Sequence, residues 1–286
     1  MNITGSTQIY GVSGNPIKHS FSPLIHNFLF SKLNIPAVYI PFEPEKDKFE
    51  TFINGIQHLT NLRGMNVTVP FKNSAFKISD KLSREAEIIG SVNTLLFKDS
   101  TIEGYNTDSY GFLKSLNLNF PEITLKNSVA MVIGAGGASK AILYSLISSG
   151  IKKILLVNRT LSRADDLKTY FQKKLNFKDI QTVSLSKNIF KTIEKDIDIL
   201  INTTSVGLHK DDKQLIEIPE QSGIKLVYDL IYNPPKTKLL SDAENKKIRI
   251  LNGKDMLILQ ALRSFEIWTG KNTEKYIEEI RKILRG

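Results

Sequence analysis

The chain has 286 residues, 41% of them hydrophobic and 24% charged, with a formal net charge of +10; this is the length of about two domains and the composition of a folded globular protein, which excludes a disordered or fibrous chain. It has no cysteine, which excludes disulfides, thiol nucleophiles and cysteine-held zinc or iron–sulfur sites and agrees with a reducing compartment. The longest uncharged run, residues 1–17, is rich in Asn, Ser, Thr and Gly, so neither a membrane span nor a signal peptide is read there; a cytoplasmic protein with no membrane partner is expected.

Gln8–Val12, Ala37–Phe42 and Leu62–Val67 read as strands. Ser22-Pro23 reads as a helix N-cap with Pro at the first helical position, opening a helix to about Leu33. Ser91–Phe97 and Thr101–Gly104 read as a short pair of strands. A second series starts near Ser128. Val129–Ile133 is an apolar run of the kind buried in a parallel sheet. A glycine cluster follows it, then a helix through Ser148 that Gly150 ends. Lys153–Val157, Ile197–Ile201 and Leu226–Leu230 are three more such strands. From about Asp255 the chain reads as helical, with Arg and Lys near its end. The alternation implies an α/β fold in two domains. The first, 1–108, is expected to be completed by C-terminal helices in 254–286. The second, 109–253, reads as Rossmann-like and doubly wound.

Four polar clusters stand in the first domain, where strands are expected to run out into loops. They are Asn15-Pro16-Ile17-Lys18-His19-Ser20-Phe21-Ser22-Pro23, Asn66-Val67-Thr68-Val69-Pro70-Phe71-Lys72, Asn93-Thr94 and Asn106-Thr107-Asp108. Ligand sites in open α/β sheets collect at such ends. Hydroxyls and amides with little charge suit a small polyol, and a Lys and an Asp among them suit proton transfer. Plainer readings stay open: Ser22 as a cap, Asn66 and Thr68 as turn closers, Lys72 as a surface lysine. The four histidines show no metal-ligand spacing such as HExxH. His19 and His26 are read as structural, and no metal is expected.

The run Gly134-Ala135-Gly136-Gly137-Ala138-Ser139 follows a strand and opens a helix, the context a phosphate-binding turn requires. Gly134 permits the tight turn, Gly136 lets the backbone approach a pyrophosphate, and the helix N-terminus offers free N–H groups. A ligand-free strand-to-helix turn would look similar, and Ser139 stands at the third glycine position. The next strand ends at Asn158-Arg159-Thr160, with Arg163 one turn on. An NAD site wants a carboxylate there; cations instead suit a 2′-phosphate, unless Arg159 is only a solvated helix-start residue. Residues 1–108 carry 10 basic and 10 acidic side chains, 109–253 carry 22 and 14, and 254–286 carry 7 and 5. The excess in the middle suits a phosphate-rich ligand or a Lys-rich solvated surface. No zinc finger, basic zipper or RNP motif accompanies it, so no nucleic-acid partner is expected.

Nine stretches in order resemble the shikimate dehydrogenase family: GNPIKHSFSPLIHN (14–27), NVTVPFK (66–72), GSVNT (90–94), GYNTDSYG (104–111), VIGAGGASKA (132–141), NRTLSRA (158–164), NTTSVGL (202–208), DLIYNPPKT (229–237) and GKDMLILQA (253–261). The resemblance implies that the first domain and the C-terminal helices bind shikimate, that the middle domain binds NADP, and that the reaction is the reversible reduction of 3-dehydroshikimate by NADPH. Lys72 and Asp108 match the catalytic pair. Ser20 and Ser22 match the hydroxyls on the substrate carboxylate, Thr68, Asn93 and Gln260 the groups on the ring hydroxyls, and Tyr232 a tyrosine reaching the substrate from the cofactor side. Gly134, Ala135, Gly136, Gly137 and Ala138 match the family's glycine turn, which has this GAGGA form. Asn158, Arg159, Thr160 and Arg163 match the clamp on the adenosine phosphate, and Thr204, Gly253 and Met256 the surroundings of the nicotinamide. Thr203 and Val206 depart from the family, where smaller or more polar residues are common. The expected mechanism has a protonated Lys72, favoured by Asp108, give its proton to the forming alkoxide. Monomer and homodimer are both open. The rival readings are an enzyme that also takes quinate, with relaxed cofactor use, a ligand-sensing regulator on the same scaffold, and a folate or amino-acid dehydrogenase sharing only the cofactor half.

Overall fold

The structure, a computed structural model, describes residues 3–193 and 196–284. The chain forms two compact units, Met1–Gly111 with Ile258–Gly286, and Phe112–Leu257.

The first unit contains β1 (Gln8–Ser13), α1 (Ser22–Lys32), β2 (Ala37–Phe42), α2 (Phe49–Ile56), β3 (Leu62–Val67), α3 (Lys72–Ile78), β4 (Lys81–Leu82), α4 (Arg84–Ile89), β5 (Thr94–Lys98) and β6 (Thr101–Tyr105). The strands form one sheet in the order β2-β1-β3-β5-β6-β4. β1 pairs in parallel with β2 and β3, while β5 runs antiparallel to β3 and β6. One face is covered by Phe49, Ile53, Met65 and Phe71, with the Phe49 and Phe71 rings stacked at 4.7 Å. The other face buries Tyr10, Phe30, Tyr39, Phe265 and Trp268 against one another. Each fully buried ring or aliphatic chain of this kind stabilises the unit by about 1.5–3 kcal/mol.

The second unit contains β7 (Val129–Ile133), α6 (Gly137–Ser148), β8 (Lys153–Asn158), α7 (Leu161–Leu175), β9 (Ile180–Ser184), β10 (Ile199–Asn202), β11 (Leu226–Asp229), α8 (Lys238–Asn245) and β12 (Arg249–Asn252). Its sheet is wholly parallel, in the order β12-β11-β10-β7-β8-β9. Counted from β7, the order reverses between the first and fourth strands, which is the doubly wound Rossmann arrangement. Val132, Ile133, Leu156, Leu200, Ile201 and Val227 are completely buried, as strands covered by helices on both faces must be.

Ala37–Phe42, Leu62–Val67 and Val129–Ile133 are strands over the residues read from the sequence. The strand expected from Ser91 begins three residues later, at Thr94, because the Asn93 side chain accepts from the Thr107 backbone N–H at 2.8 Å. The unit boundaries fall at 111/112 and 257/258, inside the helices α5 (Asp108–Asn119) and α9 (Lys254–Thr269), rather than at 108/109 and 253/254. A last helix, α10 (Ile277–Ile283), follows; Arg285, read with the basic C-terminal end, lies outside the described residues. No helix among the described residues is long and apolar enough to cross a membrane.

Candidate active site

In the first unit the pairing register gathers the polar clusters. Ser13 lies beside Val67, Asn66 beside Thr94, and Thr94 beside Tyr105. The ends of β1, β3 and β6 and the start of β5 therefore share one edge of the sheet. Lys72, the first residue of α3, and Asp108, the first of α5, meet there. Lys72 Nζ is 2.5 Å from Asp108 Oδ2, with the side chains 15% and 10% exposed. Asp108 Oδ1 accepts from Asn93 Nδ2 at 2.8 Å, and its backbone N–H donates to Asn106 Oδ1. A charge pair so shielded is retained only with its remaining lone pairs satisfied; losing one partner leaves an uncompensated buried charge worth about 3–5 kcal/mol. Gln260, on α9, brings Oε1 to 3.4 Å from both Asn93 Nδ2 and Thr107 Oγ1. Thr68 is half-buried at the turn into α3: its N–H donates to the Ser13 carbonyl and its carbonyl accepts from Phe71 N–H.

Ser22 is not the N-cap of α1. Phe21 holds that position in helical geometry, without a side-chain cap, and Pro23 lies in the first turn. The Ser22 side chain is buried, and its backbone N–H donates to Ser20 Oγ at 3.3 Å. His26 is fully buried and stacked on Tyr39 at 4.3 Å; burial pushes its imidazole down to about 3, so it stays neutral. His19 is exposed.

In the second unit the glycine turn leaves β7 at the strand-order reversal. Gly134 has φ +111°, and a Cβ there would stand 2.5 Å from Thr203 Oγ1, so no other residue fits. Gly136 and Gly137 have no such internal reason: a Cβ on either meets nothing within 4 Å. The space beside them is what a closely approaching ligand would take. Gly134 N–H donates to the Val157 carbonyl and Gly136 N–H to Ser139 Oγ at 3.1 Å, so these two amides are taken by the chain itself. Ala135 and Ala138 are half-buried in the same turn. Beyond β8, Asn158 Nδ2 donates to the Thr160 carbonyl at 2.8 Å, while the Arg159, Thr160 and Arg163 side chains are exposed. No carboxylate ends β8. These features fit a dinucleotide carrying an extra phosphate on its adenosine ribose.

Two family models match the chain. The shikimate dehydrogenase substrate binding domain covers residues 12–95, and shikimate / quinate 5-dehydrogenase covers 117–230. A curated relative from Caldanaerobacter subterraneus subsp. tengcongensis, a shikimate dehydrogenase (NADP(+)), is 39% identical over 279 residues, 96% of each chain. The chain belongs to the shikimate dehydrogenase family. Solved structures agree with that placement. Shikimate dehydrogenase from Aquifex aeolicus superposes with a TM-score of 0.86 at 36% identity, covering 97% of this chain and 98% of its own. Shikimate 5-dehydrogenase from Listeria monocytogenes, in complex with shikimate and NAD, gives 0.87 at 32%, covering 99% and 98%.

Thr203, read from the sequence as departing from the family it resembles, has a partner. Its Oγ1 lies 2.7 Å from Ser139 Oγ, which is 2.8 Å from the Gly134 carbonyl. The serine at the third glycine position thus ties the turn to the neighbouring strand end. Thr204 is held from below: its N–H and hydroxyl both donate to Asn202 Oδ1, and Asn202 Nδ2 donates to Asp229 Oδ1 at 3.0 Å. Asp229 is completely buried and also accepts from Ile231 N–H and the Thr237 hydroxyl; burial pushes its carboxyl up to about 6. Gly253 leaves no room for a side chain, since a Cβ would lie 1.9 Å from the Leu230 carbonyl oxygen. Met256 packs in the core of this unit with Phe112, Tyr228 and Leu251. Tyr232 also belongs to the second unit, half-buried, with burial raising its phenol.

Sequence reasoning assigned no role to Tyr39 or Ser264 and named Thr94 only as a member of the Asn93-Thr94 cluster; the structure joins all three to Asn93. Their signal was present: hydroxyls on the buried side of otherwise apolar elements, where each must find a partner.

Proposed function

We propose that this chain catalyses the reversible, NADPH-dependent reduction of 3-dehydroshikimate to shikimate, a step toward chorismate and the aromatic amino acids. The observation that carries the reading is the shielded Lys72–Asp108 pair at 2.5 Å, placed among Asn93 and Gln260. NADPH, when bound, supplies the hydride that reaches C3 of the substrate. Lys72 gives its proton to the C3 oxygen as the alkoxide forms, and takes it back in the oxidative direction. Asp108 keeps the ammonium charged and aimed through Oδ2, while Asn93 fixes Oδ1. Ser20 and Ser22 bind the carboxylate, Thr68, Asn93 and Gln260 the ring hydroxyls, and Tyr232 is a further substrate-binding residue. The Gly134–Ala138 turn takes the pyrophosphate, through amides other than those of Gly134 and Gly136, which the chain itself uses. Asn158, Arg159, Thr160 and Arg163 clamp the 2′-phosphate, and Thr204, Gly253 and Met256 line the nicotinamide end.

In this reading residues 1–111 with 258–286 form the substrate domain and 112–257 the NADP domain. The enzyme works in the cytoplasm as a monomer or homodimer, with no nucleic-acid or membrane partner. One assay tests the whole reading. Purified protein is given shikimate or quinate with NADP or NAD, and reduced nicotinamide is followed by its absorbance. Shikimate with NADP is expected to give the highest kcat/KM. A comparable rate on quinate, which the second family description includes, would make the enzyme a quinate/shikimate dehydrogenase, and no rate with any pair would overturn the reading.

A further inference from the structure

Tyr39, Asn66, Thr94, Asn93 and Asp108 are each at most 7% exposed and are joined side chain to side chain. Backbone partners fix the orientation of both amides. A side-chain amide can present either end, but a backbone group settles which. Asn66 lies 3.3 Å from the Asn93 carbonyl oxygen, which only a donor satisfies. Its Nδ2 therefore faces that oxygen, Thr94 Oγ1 at 3.1 Å and Ser264 Oγ at 2.9 Å. Its Oδ1 is left to accept from the Tyr39 hydroxyl at 2.8 Å. Asn93 Oδ1 accepts from the Thr107 backbone N–H, which turns Nδ2 toward Asp108 Oδ1. Between the two amides stands the Thr94 hydroxyl. It accepts from Asn66 and donates to Asn93 Oδ1 at 3.0 Å; Ser264 Oγ lies 2.8 Å from it and 3.0 Å from the Gln260 carbonyl. Every donor in the row Tyr39, Asn66, Thr94, Asn93 thus points toward the carboxylate that holds Lys72. Bonds in such a row polarise one another by roughly 10–30% each in a buried setting.

We propose that Thr94 is a positioning residue for the proton transfer, holding the Asn93 amide, and through it Asp108, in the orientation that presents Oδ2 to Lys72. Thr94 is completely buried, so it acts only through Asn93. The role rests on the function proposed above.

The test separates hydroxyl from shape. Thr94→Val keeps the branched shape and loses the hydroxyl; Thr94→Ser keeps the hydroxyl and loses a methyl. With shikimate and NADP, Thr94→Val is expected to lower kcat about 10- to 100-fold, as loss of alignment does, while KM for shikimate changes less than about threefold. Thr94→Ser is expected within about threefold of wild type in kcat. The reverse order, with Val near wild type and Ser impaired, means that Thr94 only fills space and overturns the proposal. Should Thr94→Val fail to fold by circular dichroism, Thr94→Ala and Thr94→Ser differ by the hydroxyl alone, and equal kcat values for them overturn it too. The wild type runs alongside: if it does not oxidise shikimate, the function itself falls, whereas an active wild type with full kcat in Thr94→Val removes only the role of Thr94.

Discussion

In the proposed function, Arg159 carries the distinction between the two nicotinamide cofactors. It stands exposed at the end of β8 where no carboxylate is available for a free 2′-hydroxyl. A charge-assisted bond to a phosphate is worth about 1.5–3 kcal/mol. Arg159→Ala should therefore weaken NADP binding by roughly 10- to 100-fold and NAD binding by less than about threefold, read by calorimetry with each dinucleotide; equal losses would remove it from the phosphate clamp. Asp229 makes a prediction of another kind. Its carboxyl is raised from 3.8 to about 6 by burial, so between about pH 4 and 6 the native state holds a proton that the unfolded chain has released. The native state binds more protons there, and stability falls as pH rises through that window. The shift of about two units corresponds to roughly 3 kcal/mol. Unfolding free energies of wild type and Asp229→Asn from pH 4 to 7 should converge or cross by about that amount in this direction; a pH-independent difference would mean that Asp229 is not held as the structure implies. Neither the burial of Asp229 nor the direction of its hydrogen bonds was legible in the sequence, because an acidic residue at a strand end reads the same whether it is solvated or enclosed.

Two glycines at element junctions should behave oppositely. Gly253 joins β12 to α9 and would drive a Cβ into the Leu230 carbonyl, so Gly253→Ala should cost about 1–3 kcal/mol or more of stability as an overpacked site. Gly136 precedes α6 with open space beside it and an ordinary extended backbone. Gly136→Ala should leave the urea midpoint nearly unchanged and weaken NADP binding. A stability loss at Gly136 as large as that at Gly253 would show that the turn is packed for the chain's own sake. The same elements show where sequence reading succeeds. Val129–Ile133 and Leu62–Val67 are buried central strands, and their continuous apolar or mixed runs fix them to the residue. The two edge strands of the second sheet carry less signal. Ile180–Ser184 and Arg249–Asn252 pair on one side only, and of their residues only Ile180 and Leu251 are buried, so neither stands out as a strand. Helix α1 was recognised from Ser22-Pro23, but the cap position falls one residue earlier, on Phe21, whose side chain has no hydrogen-bonding group to mark it.

At the scale of the whole molecule, the positive excess of residues 109–253 divides between two uses. Arg159 and Arg163 are exposed and assigned to a phosphate in the proposed function, whereas Lys187, Lys225 and Lys236 pair with Glu217, Asp198 and Glu244 at the surface, where each pair is worth about 0–1 kcal/mol. Composition gave the sum and not the division, since charge counts carry no positions. The polar clusters of residues 14–111 were legible because small hydroxyl and amide side chains were concentrated at strand ends. Their convergence was not, because it depends on β5 turning antiparallel to β3 and bringing its start to the edge where β3 ends. That edge holds the account's central claim, that Lys72 carries the proton. The most direct measurement compares wild type with Lys72→Ala in the reduction of 3-dehydroshikimate by NADPH, with shikimate affinity taken separately by calorimetry. The account predicts a kcat lowered by about 10²–10⁴ with shikimate affinity changed less than about tenfold; a kcat within about threefold of wild type would contradict it.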